Sequence, residues 1–348
     1  MYMNGKKLCP EAEASKYAGA RIAVLAAALI AMFIFSFVMG RYDVPVGEVI
    51  KILLSRIVPI QKTWTDNMEI AVINIRLPRI AMACMVGCCL SAAGTSYQCV
   101  FQNPMAAPDI LGASSGACFG AALAILLGQT SAMVTVFAFV SSLLTVLLVY
   151  LISRAAKANP VVSILLAGIM VSSLFSAGTS FIKLVADPSN QLPAITYWLM
   201  GSLSGTKLKN IPAAAVPMAI GLIPLFLLRW RINILTLGED EAATMGVNTK
   251  LLRASVIVCS TFITAASVAS SGMIGWVGLV IPHFCRRLVG NDCRYLLPAS
   301  MLFGALFLLL VDNFSRNLIS TEIPIGILTA FVGAPFFIYL MLRKGTLQ

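Results

Sequence analysis

The polar stretch RWRINILTLGEDEAATMGVNTK occupies residues 229–250 of a 348-residue chain and separates two long apolar segments. It begins with Arg229 and Arg231, and its middle carries three consecutive acids at 239–241. The alanines that follow favour helix formation, and Gly246 is a typical helix end. A plain connection between two membrane helices needs only a handful of residues. The stretch therefore predicts a small folded platform of short helices on one side of a bilayer.

The composition of the chain is that of a membrane protein. Apolar residues make up 59% of the sequence and charged residues only 11%, whereas soluble domains carry about 25% charged residues. Apolar stretches of about 20 residues are long enough to cross a bilayer as helices. We therefore expect an all-α polytopic membrane protein with a single transmembrane domain over residues 1–348. The ten predicted spans are residues 22–39, 79–101, 110–127, 132–152, 161–183, 212–228, 251–271, 273–289, 297–312 and 325–342.

The distribution of basic residues predicts the orientation of these spans. Lys and Arg are enriched on the cytoplasmic side of membrane proteins, and most of them fall on one side if the N-terminus is inside. We expect a multi-pass protein of the cytoplasmic membrane with both termini in the cytoplasm. Residues 1–21 would form a cytoplasmic tail and residues 229–250 a cytoplasmic loop. The helical spacing of apolar residues over 46–57 indicates a short helix on the outer surface.

The charge and cysteine patterns exclude several function classes. The net charge of +11 comes without a basic run, and the basic residues sit at the ends of apolar segments, so we expect no nucleic-acid partner. The nine cysteines form no CxxC pair and no Cys/His cluster. We interpret them as small buried apolar side chains and expect neither a metal nor a cofactor.

The chain has no visible means of driving transport by itself. Apart from residues near span ends, such as Lys183 and Asp312, the spans carry no ionisable side chain of the kind that marks a proton or ion path. It lacks the GxxxxGK[ST] loop that binds ATP phosphates, and no nucleophile–base pair appears, so it is not expected to be an enzyme. Energy for uphill transport must come from a partner, and the platform is the expected entry point.

Two polar features have alternative interpretations. Arg76 and Arg79 lie three residues apart on one helix face near the outer surface. They are either anchors that reach the membrane surface, which their spacing alone favours, or a docking site for an acidic partner. The fifth span is rich in hydroxyls, which either line a wet path or hydrogen-bond neighbouring helices. Its small and polar residues are Ser163, Gly168, Ser172, Ser173, Ser176, Gly178, Thr179 and Ser180.

Several short motifs, in order and spacing, resemble the permease subunits of ABC importers for iron–siderophore, haem and cobalamin. The resemblance covers roughly residues 20–344, nearly the whole chain. The motifs are RLPR at 76–79, NPMAAP at 103–108, LGASSGA at 111–117, WLMGS at 198–202, LGE at 237–239, GLVIPH at 278–283, PIG at 324–326 and GAP at 333–335.

The resemblance implies a type II ABC importer permease fold with about ten transmembrane helices per subunit. Helices two to five and seven to ten would form an inverted pair, although no convincing repeat is visible in the residues. It also implies the partners. These are a second permease, in a homodimer or heterodimer, two cytoplasmic ABC ATPase subunits and an extracytoplasmic substrate-binding protein, all assembled at a lipid bilayer.

The resemblance also implies roles for particular residues. The ATPase-coupling positions are Leu237, Gly238, Glu239, Ala242, Gly246 and Val247. The positions that would hold acidic knobs of the binding protein are Arg76, Arg79 and Arg316. The inner gate would lie at Asn159, Pro160, Val161, Val162 and Ser163, although a cobalamin-type relative would be expected to carry small hydroxyls there. Residues of the fifth and tenth spans would line the shared pathway.

The leading hypothesis is therefore a permease subunit that moves an iron(III)-siderophore-type chelate into the cell. Haem or cobalamin is the alternative cargo. A gradient-driven secondary transporter is the alternative class, and the lack of acids inside the spans argues against it. A membrane-embedded enzyme would need a catalytic cluster, and a structural scaffold would show no ligand-stimulated ATPase activity with its partners.

Overall fold

The chain folds into thirteen helices in a computed structural model that describes residues 17–156, 160–319 and 321–342. Short turns and two 3-10 segments, Pro108–Leu111 and Leu208–Asn210, connect them. The helices are α1 Ala18–Val38, α2 Val46–Leu54, α3 Asp66–Val100, α4 Ala113–Leu126, α5 Ser131–Ala155, α6 Pro160–Val185, α7 Gln191–Leu199, α8 Ile211–Leu235, α9 Glu239–Thr244, α10 Thr249–Ser271, α11 Val277–Val289, α12 Cys293–Asn317 and α13 Ile325–Leu342.

The helices confirm the predicted spans. Within the described residues, seven helices are long and apolar enough to cross a membrane, namely α1, α3, α5, α6, α8, α10 and α12. The shorter helices α4, α11 and α13 coincide with the three remaining predicted spans. The helix α2 lies within the segment 46–57, where a short helix was predicted. The second span was predicted to begin too late, because α3 already begins at Asp66 and includes a π-helical segment, Ile70–Arg76.

The helices α3, α10 and α12 form the centre of the bundle. More than half of each of these spans is buried, whereas only 11% of α1 is. Glycines allow the central backbones to approach closely. A Cβ atom added to Gly87 would lie 2.2 Å from Gly304 O, and one added to Gly94 would lie 1.8 Å from Gly278 O. Such contacts are typical of membrane helices, which associate through close packing of small residues.

The bundle has two ends that carry different chemistry. At the arginine end, defined by Arg76, Arg79 and Arg316, the side chain of Arg79 on α3 meets the last turns of α12. At the loop end, defined by residues 236–248, the last turn of α3 meets the first residue of α12 through Cys99 and Cys293. The helices α3 and α12 therefore run antiparallel from one end of the bundle to the other.

Candidate functional site

A buried charge cluster occupies the arginine end. Arg79 Nε donates to Asp312 Oδ1 over 2.7 Å, and Arg79 Nη1 donates to both carboxylate oxygens of Glu322 at 2.8 Å. Arg316 Nε lies 3.3 Å from Asp312 Oδ2. Asp312 is fully buried, and both arginines are nearly so. The cluster ties α3 to α12 and to the segment that precedes α13.

Arg76 has a different environment from Arg79, although the two lie only three residues apart. Its guanidinium donates to the backbone carbonyls of Phe37, Val38 and Tyr42, at and beyond the end of α1. Because Arg76 is buried, these carbonyls replace the water that would otherwise solvate it. Arg76 therefore holds the end of α1 against α3.

All three arginines thus make internal contacts instead of projecting freely from the surface. A side chain of Arg79 or Arg316 that reached a partner would have to leave buried carboxylate contacts. A docking role for Arg76, Arg79 and Arg316 therefore remains a prediction, and the geometry adds a structural role. The Nη2 atom of Arg79 is buried and makes no hydrogen bond with the residues that the structure describes.

Exposed basic residues at the same end have different partners. Lys51 Nζ and Thr63 Oγ1 donate to the Glu48 carboxylate over 2.9 and 2.8 Å, and these bonds hold the pKa of Glu48 below its ordinary value. By contrast, Lys207 and Lys209 are exposed and form no ion pair with any residue in the described ranges.

The loop end carries the predicted platform, which begins later than the predicted residue 229, because α8 continues to Leu235 and includes Arg229 and Arg231. The helix α9 follows Gly238, whose φ of +127° suits glycine, and the chain leaves α9 through Gly246, whose φ is +78°. Gly246 N donates to Ala243 O over 3.0 Å, and Val247 N donates to Ala242 O over 3.1 Å. The predicted short helix and its glycine end are confirmed.

The platform is anchored on one face and exposed on the other. Ala242 is fully buried in the same apolar core as Leu235 and Leu252, on the flanking helices α8 and α10. Leu237 is 62% exposed and Met245 is 59% exposed. The platform therefore presents these two apolar side chains on the side that does not contact the core.

Beneath the platform, two cysteines separated by 194 residues lie together. The Sγ atoms of Cys99 and Cys293 are in disulfide contact, and both side chains are buried. Cys293 N donates to Asn233 Oδ1 over 2.8 Å, and Gln102 Nε2 donates to Leu235 O over 2.8 Å. The ends of α3 and α12 are thus bound to the end of α8, which leads into the platform. No spacing in the sequence indicated this pair.

The predicted gate residues lie around the start of α6. Asn159 lies outside the described residues, and Pro160 and Val161 fall in the first turn of α6. The side chain of Val162 is exposed and that of Ser163 is buried, with no hydrogen bond to Ser163 Oγ among the described residues. The gate role itself remains a prediction.

The hydroxyls of α6 bond mainly to their own helix. Ser173 donates to Ile169 O over 2.9 Å, and Ser180 donates to Ser176 O over 3.0 Å. Ser173, Ser176 and Ser180 are exposed in the single chain. These hydroxyls therefore do not join α6 to the neighbouring helices of the described chain, and the water-filled path stays a prediction.

The chain is similar to known permeases. Residues 28–343 match the FecCD transport family. A protein named "Probable iron chelatin transport system permease protein" from Helicobacter pylori is 40% identical over 278 residues, which cover 80% of this chain and 84% of that protein. The molybdate import system permease protein MolB from Haemophilus influenzae is 39% identical over 321 residues, covering 91% of this chain and 94% of that protein.

The fold is also similar to a solved structure. That structure is described as an inward-facing conformation of a metal-chelate type ABC transporter, and it matches with a TM-score of 0.82 at 36% identity. The match covers 92% of this chain and 98% of that chain. The predicted type II ABC importer permease fold is therefore confirmed, and the chain belongs to the FecCD transport family.

Proposed function

We propose that this permease moves an iron(III)-siderophore-type chelate across the cytoplasmic membrane, driven by two separate ABC ATPase subunits at the loop end. The observation that carries the proposal is the platform around α9. It is folded, it exposes Leu237 and Met245, and it is rooted through Ala242 in the core between α8 and α10. In this proposal the loop end and both termini lie in the cytoplasm, and the arginine end faces outwards.

Force applied to the platform has a direct route into the bundle. The helix α8 ends at Leu235, only a few residues before α9. Asn233 in its last turn is bonded to the first residue of α12, and Leu235 O is bonded to Gln102. A displacement of α9 would therefore shift the ends of α3, α8 and α12 together. This coupling needs no nucleotide site in the permease itself.

The solute path is proposed to run between this chain and a second permease, either a copy or a relative. The exposed hydroxyl side of α6 and the exposed face of α13 would line it. Hydroxyls offer weak and reversible contacts with water and solute, which suits a path that must not trap its cargo. Specificity would then come mainly from the extracytoplasmic binding protein, whose docking at the arginine end we propose to involve Arg76, Arg79 and Arg316.

The choice of an iron chelate as cargo rests on similarity. The Helicobacter relative is named for iron chelatin, and the similar structure is of metal-chelate type. The Haemophilus relative is named for molybdate, so closely similar chains differ in cargo. Haem and cobalamin remain the alternative cargoes.

The test is reconstitution of the permease with its ATPase and binding protein in lipid vesicles. Wild-type vesicles should take up a ferric siderophore only with ATP, and Gly238→Ala should retain ATP hydrolysis but lose uptake. A Cβ atom at Gly238 would lie 2.1 Å from Glu241 Oε2, and the positive φ is unfavourable for alanine. Gly205→Ala is the control, since nothing lies near that position.

Two outcomes would contradict the proposal. Uptake without ATP that an ionophore abolishes would favour a gradient-driven transporter. The Gly238→Ala variant could also take up solute at the wild-type rate and consume the same ATP per solute. That result would show that the platform does not couple ATP hydrolysis to uptake.

A further inference from the structure

One edge of α6 carries a continuous polar sector. Ser173, Ser176, Ser180 and Lys183 follow one another at intervals of three, four and three residues. At about 100° per residue, these positions fall within a sector of about 80° on the helix surface. The three serines are exposed and Lys183 is half-buried. The sector extends from the middle of α6 to its last turn at the arginine end.

This sector differs from the lipid-compatible surfaces of the bundle. The rest of the exposed face of α6 is apolar, and so is that of α8 before its last turns, where Arg231 is exposed. The exposed apolar residues of the two helices are Leu166, Ile169, Met170, Leu174, Phe181, Leu184, Val216, Ile220, Ile223 and Leu227. Charged side chains within membrane spans usually face a protein partner or water instead of lipid. The polar edge of α6 is therefore the side expected to face an aqueous path.

Lys183 places a positive charge at the mouth of this sector. It makes no ion pair with any residue in the described part of the chain. The nearest acid on its own segment, Asp187, accepts a hydrogen bond from Asn190 N over 2.8 Å; it keeps its charge but forms no ion pair with Lys183. The helices that pack against this half of α6 are α4 and α7, and neither contains Asp or Glu. Its ammonium field therefore extends towards the exposed side of α6.

We propose that Lys183 selects solutes of net negative charge, such as anionic metal chelates, at the outer mouth of the path. This inference rests on the proposed function, because it requires the edge of α6 to line the solute path. A cation without an ion-pair partner in a confined opening raises the local concentration of anions and repels cations. The serines beyond it carry no charge that would hold the anion, so the solute can move on.

The test measures the electrostatic potential beside Lys183 and needs neither ATP nor cargo. A cysteine is introduced by Ser180→Cys, one helical turn from Lys183, in the assembled transporter. Its rates of modification by an anionic and a cationic methanethiosulfonate of similar size are compared. Lys183→Met should lower the ratio of anionic to cationic rates by about fivefold. Lys183→Arg should retain the ratio, because it keeps the charge.

Two controls show whether a change in the ratio of rates arises from Lys183. The parent with Ser180 measures the background from native cysteines, and Lys209→Met removes an exposed charge away from the sector. Failure of both reagents to modify the cysteine would overturn the proposal, since the edge would not face water. An unchanged ratio in Lys183→Met, or an equal change in Lys209→Met, would overturn it as well. ATP-driven uptake that persists in any of these cases would leave the importer function intact.

Discussion

Arg79 and Asp312, which are 233 residues apart in sequence, form a 2.7 Å ion pair that is buried at the arginine end. The pair joins the two central helices α3 and α12. Asp312 also faces Arg316, so one carboxylate balances two guanidiniums with help from Glu322. A buried charge whose partner is removed is far more costly than an exposed one. The cluster is therefore expected to determine the stability of this end of the bundle.

Asp312→Asn should destabilise the protein by about 3–5 kcal/mol, because it leaves buried guanidiniums without a compensating charge. Unfolding in detergent, followed by circular dichroism, measures the change. Asp66→Asn is the matched control, since it removes the exposed partner of Lys62 and should cost far less, because water screens an exposed ion pair. An equal loss of unfolding free energy in the two variants would show that the buried cluster stabilises the protein no more than an exposed ion pair does.

Arg316→Glu should slow association of the binding protein by about tenfold at low salt, because it reverses one charge at the end of the bundle where we propose that the acidic partner docks. The difference should shrink as salt screens the charges. Surface plasmon resonance at two ionic strengths measures it. Asp312→Asn is the control here, because it disturbs the same cluster without adding negative charge. If Asp312→Asn slows association as much, the arginine acts through the fold alone.

Gly94→Ala should destabilise the bundle by about 1–3 kcal/mol, because its Cβ atom would overlap the Gly278 carbonyl and force α3 and α11 apart. The midpoint of thermal unfolding in detergent measures this change. Gly19→Ala is the control, since nothing lies near that position on α1. A Gly94→Ala protein with wild-type stability would mean that the two backbones are not in close contact.

Oxidation should uncouple the transporter through Cys99 and Cys293. In the orientation that we propose, the loop end faces the cytoplasm, which keeps most thiols reduced, so the pair that is in disulfide contact in the structure is expected to be two thiols in the cell. Hydrogen peroxide would convert the two thiols to a disulfide with release of two waters, which would fix the ends of α3 and α12 beside the platform. Uptake per ATP in vesicles should fall after peroxide and recover with dithiothreitol.

Cys99→Ser should remove this sensitivity, whereas Cys118→Ser on α4 should leave it unchanged. Mass spectrometry of the peptides should show the Cys99–Cys293 link after peroxide treatment. Peroxide inhibition that is unaltered in Cys99→Ser would assign the effect to another site.

The elements that the sequence predicted well are those with local signals. The ten spans follow from apolar runs, and the α9 platform follows from helix-forming residues that end at Gly246. The environment of Arg79 was not predictable, because its partners Asp312 and Glu322 are distant in sequence. The same holds for the contact between Cys99 and Cys293. For Lys183, the sequence showed a cation near a span end, but only the packing shows that α4 and α7, the helices beside it, bring no acid to it.

The π-helical segment Ile70–Arg76 has a consequence for the whole of α3. A π segment amounts to one extra residue inserted into an α-helix. The side chains before the segment are therefore rotated about the helix axis relative to those after it. Deletion of a single residue there would restore unbroken α geometry and rotate residues 66–69 by about 100° relative to the membrane part. Glu69 would then turn away from Arg56 and Trp64, which it now binds. The added residue thus sets the angular position at which the surface segment meets the bundle.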